Sequence, residues 1–157
     1  MPEMFAEGII FRRMRQEDRE GVQSFFNAMG GESASFFNVD HGNEKRVMAF
    51  FVDGKPDHRF WVAETDGLIV GIAFIWDLFS RIPWFGVAVR DGWQGKHIGT
   101  GIVNAVLDEC ISEGRGGILL RTAAANEKAK ALYKKCGFEP IGVHPSGELL
   151  YLKRFEV

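Results

Sequence analysis

The sequence predicts an α/β (α+β) fold, one domain over residues 1–157 with a mixed central β-sheet of about six to seven strands and helices on both faces. Three observations predict it. A length of 157 residues suits one domain of ordinary size, and 46% apolar with 25% charged residues is a globular balance. The middle of the chain is strand-rich, with a hairpin turn signal between two apolar runs. Beyond Gly99 the pattern changes to helical stripes alternating with short strands.

Ile9 to Met14 reads as a first strand. Val22, Phe25, Phe26 and Met29 fall at i, i+3, i+4, i+7 on one helical face, and Gly30-Gly31 ends that helix. Glu32 to Gly42 reads as irregular, and Glu44 to Val52 as a second helix with Val47, Met48 and Phe51 inward. Phe60 to Thr65 runs into Asp66-Gly67, a hairpin turn because both residues tolerate positive φ. Leu68 to Phe79 follows as a long strand whose near-continuous hydrophobicity suits burial on both faces. Pro83 to Val89 is another strand, with a bulge or bend at Gly86 as the reading of that glycine.

Ile102, Val103, Val106, Leu107, Cys110 and Ile111 then form one helical stripe, with Asn104, Asp108, Glu109 and Ser112 opposite and Gly114 as the stop. Gly117 to Thr122 is a short buried strand. Ala129, Leu132, Tyr133 and Cys136 share a face of a last helix closed by Gly137, and Glu139 to His144 and Glu148 to Phe155 are final strands. A strand-helix-strand connection of this length implies a parallel pair with a right-handed crossover.

Charge and composition exclude several function classes. The net charge of −2 gives no broad electrostatic footprint for nucleic acid or an anionic membrane. The longest apolar run, Leu68 to Trp76, falls well short of the ~20 residues that span a bilayer. Met1-Pro2-Glu3 opens no apolar secretion segment, and Cys110 and Cys136 make no disulfide framework, so the chain reads as cytoplasmic and reduced. The four histidines are scattered and no metal site is legible. Of the aromatic residues, 14 Phe, 4 Trp and 2 Tyr, many sit in the first half of the chain: Phe25, Phe26, Phe36, Phe37, Phe50, Phe51, Phe60 and Trp61. Core packing is the ordinary explanation; an aromatic-walled acceptor pocket is the functional one. An exposed aromatic patch there would favour a homodimer.

The segment richest in chemistry is Gln94-Gly95-Lys96-His97-Ile98-Gly99-Thr100-Gly101, between a strand and an amphipathic helix. Its glycines permit tight turns and close approach of a ligand. The helix start leaves amide hydrogens unpaired and presents a positive dipole end. Together these seat phosphate groups, with Lys96 adding a charge. The Gly-Lys-Ser/Thr ending of a nucleotide P-loop is absent, and Asn104 stands where a dinucleotide fingerprint needs its third glycine. Alone, such a loop could be a flexible connection.

Gln94-x-x-His97-x-Gly99 resembles the Q/R-x-x-G-x-G/A signature of the GCN5-related N-acetyltransferase (GNAT) family, and Asn126 to Phe138 resembles its N-x-x-A-x-x-L-Y-x-x-x-G-F hallmark, one helix and one strand later. The specific resemblance covers about Pro83 to Val143. It implies acetyl-CoA as donor and a primary amine, on a small molecule or a peptide, as acceptor. It places the diphosphate on the amides of Gln94, Gly95, Lys96, His97, Ile98, Gly99 and Thr100. It places the pantetheine arm beside Val87, Ala88 and Val89, where that strand splays from Ile118-Leu119-Leu120 and leaves backbone groups open for strand addition. His97 replaces the first signature glycine, and histidine is among the residues found at positive φ.

The resemblance also assigns Tyr133 to protonate the leaving thiolate. Its phenol, with an unperturbed pKa of about 10 against about 8.5 for a thiol, suits a hydrogen bond or proton transfer. Asn126 reads as a helix cap, and the resemblance adds a coenzyme contact. Glu64, Asp77 and ordered water remain as candidates for the base. A non-catalytic acyl-CoA-binding or regulatory module on the same fold is the alternative function.

Overall fold

The computed structural model describes residues 4–6, 8–37 and 43–156. Residues 1–3 and 38–42 and the Phe37 side chain, which figure in the sequence reading, lie outside it. One sheet holds β1 (Met4–Ala6), β2 (Ile9–Arg13), β3 (His58–Thr65), β4 (Leu68–Trp76), β5 (Trp84–Val89), β6 (Gly117–Thr122), β7 (Glu139–Val143) and β8 (Leu149–Arg154). Their spatial order is β1-β2-β3-β4-β5-β6-β8-β7, antiparallel throughout except for the parallel pair β5 and β6. The mixed sheet is the predicted one, with β1 added at its edge; three residues are too few to show a period.

Local chemistry accounts for the turns. Asp66 at φ 47° and Gly67 at φ 79° join β3 to β4 in the left-handed pair of conformations that a tight hairpin needs. Asp77 at φ 58° ends β4 at Trp76, short of the predicted Phe79. No register shift interrupts β4 and β5 at Gly86. Gly86 serves packing instead: a Cβ there would stand 2.6 Å from the Phe74 ring, which crosses over it.

The helices are α1 (Arg19–Asn27), α2 (Gly31–Phe37), α3 (Asn43–Met48), α4 (Phe50–Asp53), α5 (Ile98–Ser112) and α6 (Glu127–Lys135). Part of the stretch from Glu32 to Gly42 read as irregular is helical, since α2 runs from Gly31, read as the stop of the preceding helix, to Phe37. The single helix expected from Glu44 to Val52 breaks at Ala49, whose ψ of −23° and the Val52 amide bond to the Ala49 carbonyl, 3.1 Å, mark a tighter 3₁₀ turn. No helix among the described residues is long and apolar enough to cross a membrane.

Two hydrophobic clusters flank the sheet. On one side α5 packs Ile102, Val103, Val106 and Cys110 against Phe11, Trp61 and Ile118. On the other Val22, Phe25, Phe26 and Val47 meet Phe60 and Phe74. Most of the aromatic excess is therefore core, as the ordinary explanation held. Two residues of α5 depart from the predicted stripe. Ile111 is half exposed, while Glu109 is buried. Arg13 Nε donates to Glu109 Oε1 at 2.9 Å, Arg59 Nη1 lies 3.3 Å from the same oxygen, and Trp61 Nε1 donates to Oε2 at 2.9 Å. Cross-strand cations on β2 and β3 are what admit a carboxylate to this face, and helical periodicity alone cannot report them.

Candidate active site

β5 and β6 pair at a single register position, Trp84 opposite Leu119. Beyond it the strands diverge, so Gly86 to Val89 keep β4 on one edge and no strand on the other. A cavity of about 890 Å³ occupies this divergence. Val87, Ala88 and Val89 line it from β5, Gln94, Gly95, His97, Gly99 and Thr100 from the loop and the start of α5, and Asn126 and Tyr133 from α6. Two of the predicted residues lie elsewhere by side chain. Ile98 is buried in the core at 1% exposure, because the first inward position of α5 must cover Gly71 of β4. Lys96 is exposed and lines a separate recess with Ile9, Thr65 and Trp93.

The loop is shaped by three left-handed residues, Gly92 at φ 85°, Gly95 at φ 81° and His97 at φ 64°. His97 thus adopts the glycine-like conformation that its signature position calls for, and it immediately precedes the helix. Gln94 braces the turn: its Oε1 accepts from the Gly92 amide at 3.1 Å and its Nε2 donates to the Val89 carbonyl at 3.2 Å. The first amide bond into α5 runs from Gly101 to the His97 carbonyl, 3.0 Å. The amides from Gln94 to Thr100 have no acceptor among the described residues. They form a row of donors at the positive end of a 15-residue helix. Gly99 lets that end approach α6, since a Cβ would stand 3.1 Å from Leu132 Cδ2.

Asn126 caps α6, its Oδ1 accepting from the Ala129 amide at 3.2 Å, and lines the cavity as well. Two turns later Tyr133 is 6% exposed, with its ring 5.7 Å from Phe138 and 6.1 Å from Tyr151. Its hydroxyl has no hydrogen-bond partner among the described residues. Burial, with a smaller contribution from Cys136, pushes the phenol well above its ordinary value. Tyr133 therefore keeps its proton through the physiological range and has an O–H to offer as a donor. The Cys136 thiol is also raised by burial, which disfavours its nucleophilic thiolate.

Neither carboxylate read as a base candidate lines the cavity. Glu64 is held by Arg12 Nε at 3.0 Å on the outer strands, and Asp77 is exposed in the turn after β4. The acids that do line it are Glu32, Glu127 and Glu148. Glu148 is buried at 7% exposure, accepts from Ser146 Oγ at 3.0 Å and lies 3.5 Å from Arg121 Nε. The Arg121 guanidinium in turn lies 5.9 Å from the Trp84 ring centroid. Glu148 and Arg121 escaped the sequence reading because the β6–β8 register, which brings them together, is invisible in local periodicity.

The profile described as "Acetyltransferase (GNAT) family" matches residues 21–138. N-alpha-acetyltransferase RimI of Mycobacterium tuberculosis is 33% identical over 90 residues, 56% of this chain and 56% of that protein. The chain spans from 28% to 58% of the length of the curated relatives it matches. Among solved structures, the ribosomal-protein-S5-alanine acetyltransferase from Vibrio fischeri superposes with a TM-score of 0.78 at 15% identity, over 98% of this chain and 97% of that one. The PaiA N-acetyltransferase from Thermoplasma acidophilum, in complex with coenzyme A, does so with a TM-score of 0.76 at 14% identity, over 94% and 99%. These likenesses share the fold, and the matched profile takes in the diverging strand pair, the amide-rich loop and Tyr133: the chain belongs to the GNAT acetyltransferase family.

Proposed function

We propose that the chain is an acetyl-CoA-dependent N-acetyltransferase, acting by direct attack of a primary amine in a ternary complex. One observation carries the reading. Within the row of unpartnered amides from Gln94 to Thr100, those of Gln94, Gly95, His97, Gly99 and Thr100 belong to residues that line the same cavity as Tyr133 and the vacant edge of β5. That combination suits a ligand with a diphosphate at one end and an amide-containing arm leading to a thioester at the other. The coenzyme A bound by the Thermoplasma neighbour supports it.

In this reading the loop amides take the diphosphate, as helix N-termini do. The edge from Gly86 to Val89 pairs with the arm as an added strand. A main-chain amide near Val87 donates to the carbonyl oxygen as negative charge develops on it. The neutral amine attacks the thioester carbon, the carbon–sulfur bond breaks, Tyr133 hydrogen-bonds to and protonates the departing sulfur, and the N–H proton released as the amide forms returns through water to the Tyr133 oxygen. With Glu64 and Asp77 outside the cavity, the amine loses its proton to ordered water or enters already neutral.

Thiol release from acetyl-CoA across a panel of primary amines tests this. The expected result is amine-dependent turnover with at least one amine class. Calorimetric uptake of acetyl-CoA with no turnover across the panel would establish the non-catalytic module instead.

A further inference from the structure

Arg90 and Asp91, between β5 and the loop, reach α1 and α2 respectively, and α2 is among the elements that line the cavity. Arg90 Nη2 donates to Ser24 Oγ of α1 at 3.3 Å and Nη1 to the Ile69 carbonyl at 3.1 Å. The Asp91 carboxylate accepts from the Gly30 amide at 2.6 Å and from Ser33 Oγ at 2.6 Å, both at the head of α2. A Cβ on Gly30 would stand 2.8 Å from Asp91 Oδ2, so the contact is built for glycine. On its other side Asp91 Oδ1 lies 3.5 Å from Nε2 of Gln94, the residue that braces the loop.

A carboxylate at the head of an anion-binding loop opposes the ligand that the loop suits. The hydroxyl of Ser33, then the amide of Gly30, nonetheless hold Asp91 below the usual carboxylate range, so it stays charged. Its use is on the other wall. α2 supplies Glu32, Ser33 and Phe36 to the cavity, and none of them belongs to the loop or strand that the coenzyme reading uses, which leaves this wall to the acceptor.

We propose that Asp91 is a positioning residue that couples the diphosphate loop to α2, so that order imposed on the loop by a bound diphosphate is passed to the acceptor wall. This rests on the coenzyme reading of the loop. Asp91 touches neither reacting atom; it acts through Gly30 and Ser33.

Hydrogen exchange followed by mass spectrometry tests it, with adenosine 3′-phosphate 5′-diphosphate as the probe. This is the nucleotide half of coenzyme A without the arm that could touch α2 directly. In the wild-type chain the probe is expected to slow exchange across residues 94–101 and, about fivefold or more, across residues 31–37. Asp91→Ala keeps the loop effect and reduces the effect on α2 to less than about twofold. Ser33→Ala weakens the transmitted effect with the loop untouched, which serves if Asp91→Ala folds poorly. Asp91→Asn keeps one acceptor oxygen and drops the charge; it retains the transmitted effect and binds the probe more tightly. A merely structural role would speed exchange of α2 equally with and without probe, leaving the ratio unchanged. That result, or α2 insensitive to the probe in the wild type while the loop responds, overturns the coupling. A wild-type loop that does not respond at all overturns the coenzyme reading, and the coupling with it.

Discussion

Replacing Tyr133 with Phe is expected to lower kcat about 100-fold or more, the usual scale for a positioned proton donor, while acetyl-CoA binding stays within about twofold. The substitution removes one oxygen and keeps the ring contacts with Phe138 and Tyr151. Because that hydroxyl has no partner among the described residues, its loss strands no buried group and leaves stability nearly unchanged. The raised phenol pKa adds a second signature. In the proposed mechanism the acid form is the active one, and it persists above the ordinary value of about 10, so the wild-type rate is expected to show no falling alkaline limb from Tyr133 below that pH. Steady-state kinetics against pH, paired with calorimetry, check both points. Unchanged turnover in Tyr133→Phe would remove this residue from the chemistry.

The second large effect is on stability. Glu109→Ala is expected to destabilise the fold by about 1–3 kcal/mol, the range for leaving a buried donor without its acceptor. For a chain of this size that lowers the melting temperature by on the order of 5 °C. The reason is what remains behind: the buried Trp61 N–H loses its acceptor and half-exposed Arg13 its counter-charge, while Arg59 keeps Glu113 at 2.8 Å. Urea titration should show a lower midpoint with an unchanged slope. Glu109 does not line the cavity, so the folded variant should bind acetyl-CoA as the wild type does.

Residues whose structure depends on their neighbours in sequence were legible. Asp66-Gly67 makes its hairpin because two adjacent residues tolerate positive φ. Asn126 caps its helix through a side chain three residues from its partner amide. The loop from Gln94 to Gly101 was legible for the same reason: its turns and its unpaired amides are local consequences of glycines before a helix. What escaped depends on register. Glu109 looks outward on a helical wheel until β2 and β3 bring Arg13 and Arg59 under it. Gly86 looks like a bulge until the ring of Phe74 is placed across from it. Asp91 looks like a loop acid until Gly30 and Ser33, some sixty residues earlier, arrive as its donors. Glu148 reaches the cavity only through the return of β8 beside β6.

Amide-resolved NMR titration of the ¹⁵N-labelled chain with acetyl-CoA most directly tests whether the row of donors from Gln94 to Thr100 holds the diphosphate. The account predicts saturable shifts that are largest at Gly95, Gly99 and Thr100, reproduced there by the nucleotide half alone, with further shifts from Gly86 to Val89 only when the pantetheine arm is present. Saturation without movement of the loop amides, or no saturation at all, would contradict it.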